Sequence, residues 1–182
     1  MDAGACVVAD NGVLLFAKSP GAVKTYSHLF EGRQMDKTYL AVAPGKALDF
    51  EGACQLKLAP DLRRLGRIKV DARHGKTAET YFRGLKIHGN FSLIEQRTVT
   101  GYTHQIRVHR AEAGPPIAGD ELYGKSLSRP SATLSPSDGA TDSLSLGLRA
   151  VGLVYFNPST KTRVEIRAPT EIFLKEYEFT AM

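Results

Sequence analysis

The chain is poor in cysteine, with only Cys6 and Cys54 among 182 residues. The two lie far apart and outside any C-x-x-C pattern, which argues against a disulfide framework or a zinc ribbon and fits a reducing compartment. No apolar run approaches the length of a membrane span. Residues 1–12 also lack the basic start and long apolar core of a secretory signal, so a soluble, cytoplasmic protein with no membrane association is expected. No internal repeat is visible. The histidines do not suggest a metal site: His104 and His109 are five positions apart, off the H-x-x-x-H spacing, and no cysteine or carboxylate trio accompanies them. No metal and no cofactor are expected.

What is present is positive charge, a formal +5 with an isoelectric point near 9.2. Such a balance suits a polyanionic partner, although an ordinary solvated surface explains it as well. The basic residues gather at Arg63, Arg64, Arg67, Lys69 and Arg73 to Lys76, and again at Arg107 and Arg110. Phosphate contacts from several loops are thus conceivable.

The length suits one domain, 1–182, large enough to bury a core without staples. Val13 to Ala17 reads as a buried strand after an Asp10-Asn11-Gly12 turn. A helix from Gly21 to Arg33 follows, its apolar face carried by Ala22 or Val23 with Tyr26, Leu29 and Phe30. Strands are expected at 37–43, 53–58, 78–85, 91–99, 148–156 and 163–168, most neighbours being joined by hairpins, with a last helix opened by Pro169-Thr170. This pattern predicts an α+β class with a mostly antiparallel sheet and a few helices on one side. Ser126 to Gly147 is rich in Ser, Thr, Pro and Asp and reads as a surface insertion.

The most specific stretch is Thr100-Gly101-Tyr102-Thr103-His104-Gln105-Ile106-Arg107-Val108-His109, continuing through Gly114, Pro116-Ile117, Gly119-Asp120 and Tyr123-Gly124. Read physically, Thr100-Gly101 is a turn, Thr103 is the expected N-cap, and 105–113 is a short helix closed by Gly114. The stretch resembles the C-terminal signature of the RluA-type pseudouridine synthases, departing from it at Tyr102, where the family has Arg, and at Pro115, where it has His. Lys37-Thr38-Tyr39-Leu40-Ala41 resembles the family's K-x-Y-x-A segment. Lys76, Ala78, Thr80 and Tyr81 resemble its K-x-A-x-T-x-Y strand, and Leu148 to Pro169 its closing hairpin.

The resemblance implies the pseudouridine synthase catalytic-domain fold and an RNA partner, ribosomal or transfer RNA, with uridine isomerised to pseudouridine by a monomer without a cofactor. It implies Tyr39 as the residue that stacks on the uracil and can take its C5 proton, and Arg107 as the partner of the nucleophilic carboxylate. Ile106 or Leu148 would pack on the base's other face. His104, Gln105, Arg110 and Lys18 are carried over as RNA-binding positions. Plainer readings stand beside these: a structural hydrogen bond at the helix start for His104, a polar contact with RNA or the sheet for His109, and a structural pairing of Arg107 with Asp120 or Glu112.

At its front the chain departs from the family. Anchored on Gly12, the position of the family's nucleophilic aspartate is Val7, and the nearest carboxylates, Asp2 and Asp10, are out of register. The domain is therefore expected to be N-terminally incomplete, whether as a fragment, a diverged paralogue or the product of an altered reading of the gene. A non-catalytic RNA-binding relative is the alternative, and an organellar address stays open if an authentic N-terminus has been lost.

Overall fold

Period-two alternation across residues 37–43 gives a strand both of whose faces can be buried, and such a strand belongs at the centre of a sheet. In the computed structural model, which describes residues 11–46, 51–124 and 145–179, it forms β1 (Met35–Pro44), paired on one side with β5 (Phe91–Thr98) and on the other with β6 (Leu148–Asn157). The remaining strands are β2 (Glu51–Pro60), β3 (Ile68–Val70), β4 (Lys76–His88) and β7 (Thr162–Arg167). Their order is β3-β2-β4-β5-β1-β6-β7, and every strand pairing is antiparallel.

The two faces of β1 carry different cores. Tyr39 and Ala41 join Ile106, Ile117, Leu146, Leu148 and Ala150 on one face. Leu40 and Val42 join Leu93 and the aromatic residues Phe173, Tyr177 and Phe179 on the other. Helix α2 (Gln105–Ala113) therefore covers the first face and α3 (Glu171–Glu176) the second. Helix α1 (Pro20–Glu31) begins with an N-cap bond from the Ala22 amide to the Ser19 hydroxyl and has proline in its first turn, where a missing N–H costs nothing. Its Leu29 packs with Met35, Leu153 and Tyr155.

Several sequence expectations are corrected. Residues 13–17 are not a buried strand: Gly12 makes a single parallel bridge to Ala150, and Phe16 is 73% exposed. The reason is local, since β7 pairs with β6 from Gly152 onward and the incoming segment bonds to β6 only at Ala150. Helices cover both faces of the sheet, not one. Only the β2–β3, β4–β5 and β6–β7 pairings join consecutive strands, because β1 is inserted between β5 and β6. The three-residue β3 was missed, being too short for any period to show. The expected insertion at 126–147 lies mostly outside the described residues. Its last residues are packed in, with the Val42 amide donating to Gly147 O at 2.8 Å and the Tyr177 hydroxyl to Ser145 O at 2.7 Å. Residues 1–10, with Val7 and both out-of-register aspartates, also lie outside the described residues.

Candidate active site

Lys37 and Tyr39, two apart on β1, share a face. They line a cleft of about 880 Å³ whose walls come from α1 (Tyr26, Phe30), residues 15–17, the loop 100–103, the start of α2 and Leu148. Tyr39 is 6% exposed and packs in one apolar cluster with Ile106 and Leu148, so these three expected residues do converge. Burial pushes the Tyr39 hydroxyl far above the ordinary phenol range, with Thr98 drawing it weakly back. Tyr39 is accordingly a neutral phenol at physiological pH, which favours stacking and hydrogen-bond donation over proton abstraction. Lys37 is 5% exposed; its Nζ donates to Thr100 O at 3.0 Å and lies 5.5 Å from the centre of the Phe30 ring. Burial lowers its pKa to about 8.

The Thr100–Thr103 loop is held by Gln105. The Gln105 Nε2 donates to Glu79 O at 2.9 Å and to Thr80 Oγ1 at 3.0 Å, while Oε1 accepts from Thr100 Oγ1 at 2.8 Å and from the Tyr102 amide at 3.2 Å. Thr100 Oγ1 in turn accepts from the Glu79 amide at 2.9 Å. The expected Thr103 cap is not formed: the N-cap residue is His104, in the left-handed conformation with φ 53° and no side-chain cap bond. That conformation costs a non-glycine residue about 1 kcal/mol. The surrounding hydrogen bonds offset it.

Arg107 projects from α2 into the cleft wall and is clamped by Asp120, with Nε to Oδ2 at 2.9 Å and Nη2 to Oδ1 at 2.8 Å. Asp120 Oδ1 also accepts from the Leu122 and Tyr123 amides, at 3.0 and 2.9 Å. Its side chain has no exposure. A carboxylate sealed and bonded in this way orients Arg107; it has no access to a substrate. The Tyr123 ring lies 5.1 Å from the Arg107 guanidinium, and its hydroxyl meets His104 Nδ1 at 3.0 Å. His104 thus lines the cleft while holding a structural contact, as its plainer reading anticipated.

Two expected RNA contacts stand elsewhere. Arg110 is 1% exposed, donates from Nη2 to Pro115 O at 2.9 Å and lies over the Phe82 ring, so the structure does not bring it to the cleft. Helical spacing explains this, because Arg110 shares the sheet-facing side of α2 with Ile106. Lys18 is exposed just beyond the cleft-lining Ala17. His109 is wholly buried against Thr80 Oγ1 at 2.9 Å, and burial lowers its pKa to about 4, so it is neutral and structural. The cleft residues that were missed are Lys37, Thr98, Arg33 and the α1 aromatics. For Lys37 the signal was present, since it sits two positions from Tyr39 on the same strand. Among the described residues no three His, Cys, Asp or Glu side chains gather in a way that would hold a metal ion.

Residues 10–112, which include Lys37, Tyr39 and Arg107, match the family model described as RNA pseudouridylate synthase. The chain belongs to this family. Among its relatives, the ribosomal large subunit pseudouridine synthase C of Escherichia coli O6:H1 is 33% identical over 167 residues, covering 91% of this chain and 51% of that protein. The mouse pseudouridylate synthase RPUSD2 is 36% identical over 121 residues, covering 66% of this chain and 22% of that protein. This pseudouridylate synthase homologue therefore spans about half the length of the first relative and 22% of the second. The fold is similar to that of human RNA pseudouridylate synthase domain-containing protein 1, with a TM-score of 0.67 at 21% identity over 90% of this chain and 66% of that one. It is also similar to domain-containing protein 4, with a TM-score of 0.60 at 20% identity over 87% and 68%.

Within this synthase-family cleft the lining cations are Arg33, Lys37, Lys76 and Arg107, against Glu31 as the one lining carboxylate among the described residues. An apolar wall beside an excess of positive charge suits a base with its phosphate.

Proposed function

We propose that this chain binds RNA through the cleft and isomerises uridine to pseudouridine, acting as a monomer on ribosomal or transfer RNA. The observation that carries the reading is the convergence of Tyr39, Ile106 and Leu148 into one apolar wall beside Lys37 and the clamped Arg107, in a chain of the pseudouridylate synthase family. The reaction breaks the N1–C1′ bond of uridine, turns the base and forms a C5–C1′ bond, the C5 proton being lost while the freed N1 gains one. Composition and oxidation state are unchanged, so no cofactor is required. A base inside a stem is out of reach of this wall, and the target uridine must be flipped into the cleft. There Tyr39 stacks on the uracil with its neutral hydroxyl available as a donor, and the Asp120 clamp fixes the guanidinium of Arg107 where a carboxylate and the sugar would meet it.

A second reading, a non-catalytic RNA-binding relative, rests on the register read from the sequence, which, anchored on Gly12, puts the family's nucleophilic aspartate at Val7. Asp120, being sealed, cannot substitute. A tritium-release assay on C5-tritiated uridine transcripts, run beside a filter-binding measurement, separates the two. Release that falls roughly 100-fold or more with Tyr39→Phe or Arg107→Ala supports the synthase. Bound RNA with no release selects the binding relative. Failure to bind any transcript removes both.

A further inference from the structure

Lys37 carries a charge that no neighbour balances. Its ammonium, 5% exposed, donates to Thr100 O at 3.0 Å and lies 5.5 Å from the Phe30 ring centre, two uncharged partners. Among the described residues no carboxylate pairs with it, and burial alone sets its pKa. The strand positions beside it are neutral as well, Thr98 on β5 and Leu153 on β6. From the loop side the amine is covered at Gly101, where a Cβ would stand 2.9 Å from Nζ, so the loop closes on the lysine only because a glycine is there. An ammonium withdrawn from water with no anion beside it is costly, and a site built around one is complementary to an anion that arrives later.

The other cations of the cleft are placed differently. Arg107 already faces Asp120 in a bidentate pair, and Arg33 and Lys76 are exposed, as suits phosphates that stay in contact with water. Lys37 is buried on the same face of β1 as Tyr39, two residues and so about 7 Å along the strand. A base stacked on Tyr39 therefore presents its edge, not its phosphate, to Lys37.

Resting on the synthase reading above, we infer that Lys37 is a further catalytic residue, the counter-ion and hydrogen-bond donor of the uracil anion that forms when the N1–C1′ bond breaks. The bonding pair leaves with N1, so the freed base carries a negative charge spread over N1, O2 and O4, and C1′ stays electron-deficient until C5 of the turned base attacks it. The pair then lies in the new C5–C1′ bond, C5 loses its proton and N1 takes one. Lys37 meets the anion at a ring carbonyl oxygen and keeps its own protons throughout. The charge on the base exists only between the two bonds, so the lysine favours the transition states over bound uridine. With a pKa of about 8 it is mostly protonated at neutral pH and holds the charge that this role needs.

The test reads binding of an ionised base by the full chain. Three fluorescein-labelled stem-loop transcripts carry uridine, 5-methyluridine or 5-nitrouridine at the single target position of the loop; the nitro group makes its ring anionic at neutral pH, and the methyl group controls for a substituent at C5. Anisotropy at neutral pH is expected to show the wild-type chain preferring the nitro transcript over the methyl one by about tenfold, the scale of one hydrogen bond to a charged group. Lys37→Met, and Lys37→Gln as a variant that keeps polarity without charge, should bring that ratio to about 1. Lys76→Ala, which removes an exposed cation of the same cleft, should weaken all three transcripts alike and keep the ratio. A wild-type ratio near 1, or one lost equally in Lys76→Ala, overturns the inference while leaving the cleft reading in place. A wild-type chain that binds none of the transcripts overturns the cleft reading itself, and the inference with it.

Discussion

Lys37 keeps its amine in a site that disfavours charge. Its folded pKa of about 8 lies below its ordinary value of 10.5, so the folded state carries a penalty that is complete below pH 8 and is relieved as pH rises toward 10.5. Stability should therefore increase by about 2 kcal/mol from pH 7.5 to 9.5, measured as the urea midpoint, and Lys37→Met should remove that rise. Equal slopes in the two proteins would refute the assignment. The comparison stops short of pH 10, where unfolded tyrosines ionise while Tyr39 stays protonated. Arg107 shows a different economy: its guanidinium is mostly withdrawn from water, and in the described structure Asp120 supplies a bidentate counter-charge. Tyr39 and Arg107 were readable from the sequence because motif spacing marked them. That Asp120 clamps the arginine was one of two pairings open in the sequence, the other being Glu112, and only the fold chose between them.

Helix α2 is the element that joins the core to the cleft. Ile106 and Arg107 diverge from neighbouring positions, one into the apolar cluster and one into the Asp120 clamp, while Gln105 and His109 face the sheet at Thr80. His109 is held neutral, with a pKa of about 4 against an ordinary 6.5. The unfolded chain takes up that proton first, so acidification from pH 7 to pH 5 should cost about 2 kcal/mol of stability, with the loss complete below pH 4. His109→Gln should flatten this acid limb in equilibrium denaturation; an unchanged limb would place the titration elsewhere. Apart from β3, which was missed, and the strand expected at 13–17, element positions were legible to within a few residues from period and punctuation. The αL start of α2 was not, because no side chain caps the helix: the preceding loop is held by the Gln105 carboxamide, which accepts from the Thr100 hydroxyl and the Tyr102 amide.

The seven strands form one uninterrupted hydrogen-bonded sheet with β1 in its interior, between β5 and β6 and buried on both faces. Losing β1 exposes both cores together. A single cooperative unfolding transition is therefore expected, with tyrosine fluorescence and far-UV circular dichroism giving coincident urea curves; two separated transitions would show that the β3-β2-β4 edge folds apart from the rest. At the same scale the charge is uneven, gathered along the β3 edge and into the cleft, and it is this placement, more than the net +5, that orients a polyanion on the molecule.

By itself the sequence determined the family, the antiparallel α+β class, and Tyr39, Ile106, Arg107 and Leu148 as residues of one site, because residue types at set offsets survive in one dimension. Tertiary structure alone decided that Lys37 enters the cleft, that Arg110 is buried, and that Asp120 is sealed beneath Arg107. Those outcomes depend on which strands become neighbours and which helix face meets the sheet, and contacts between residues tens of positions apart leave no period or spacing in the chain from which to read them.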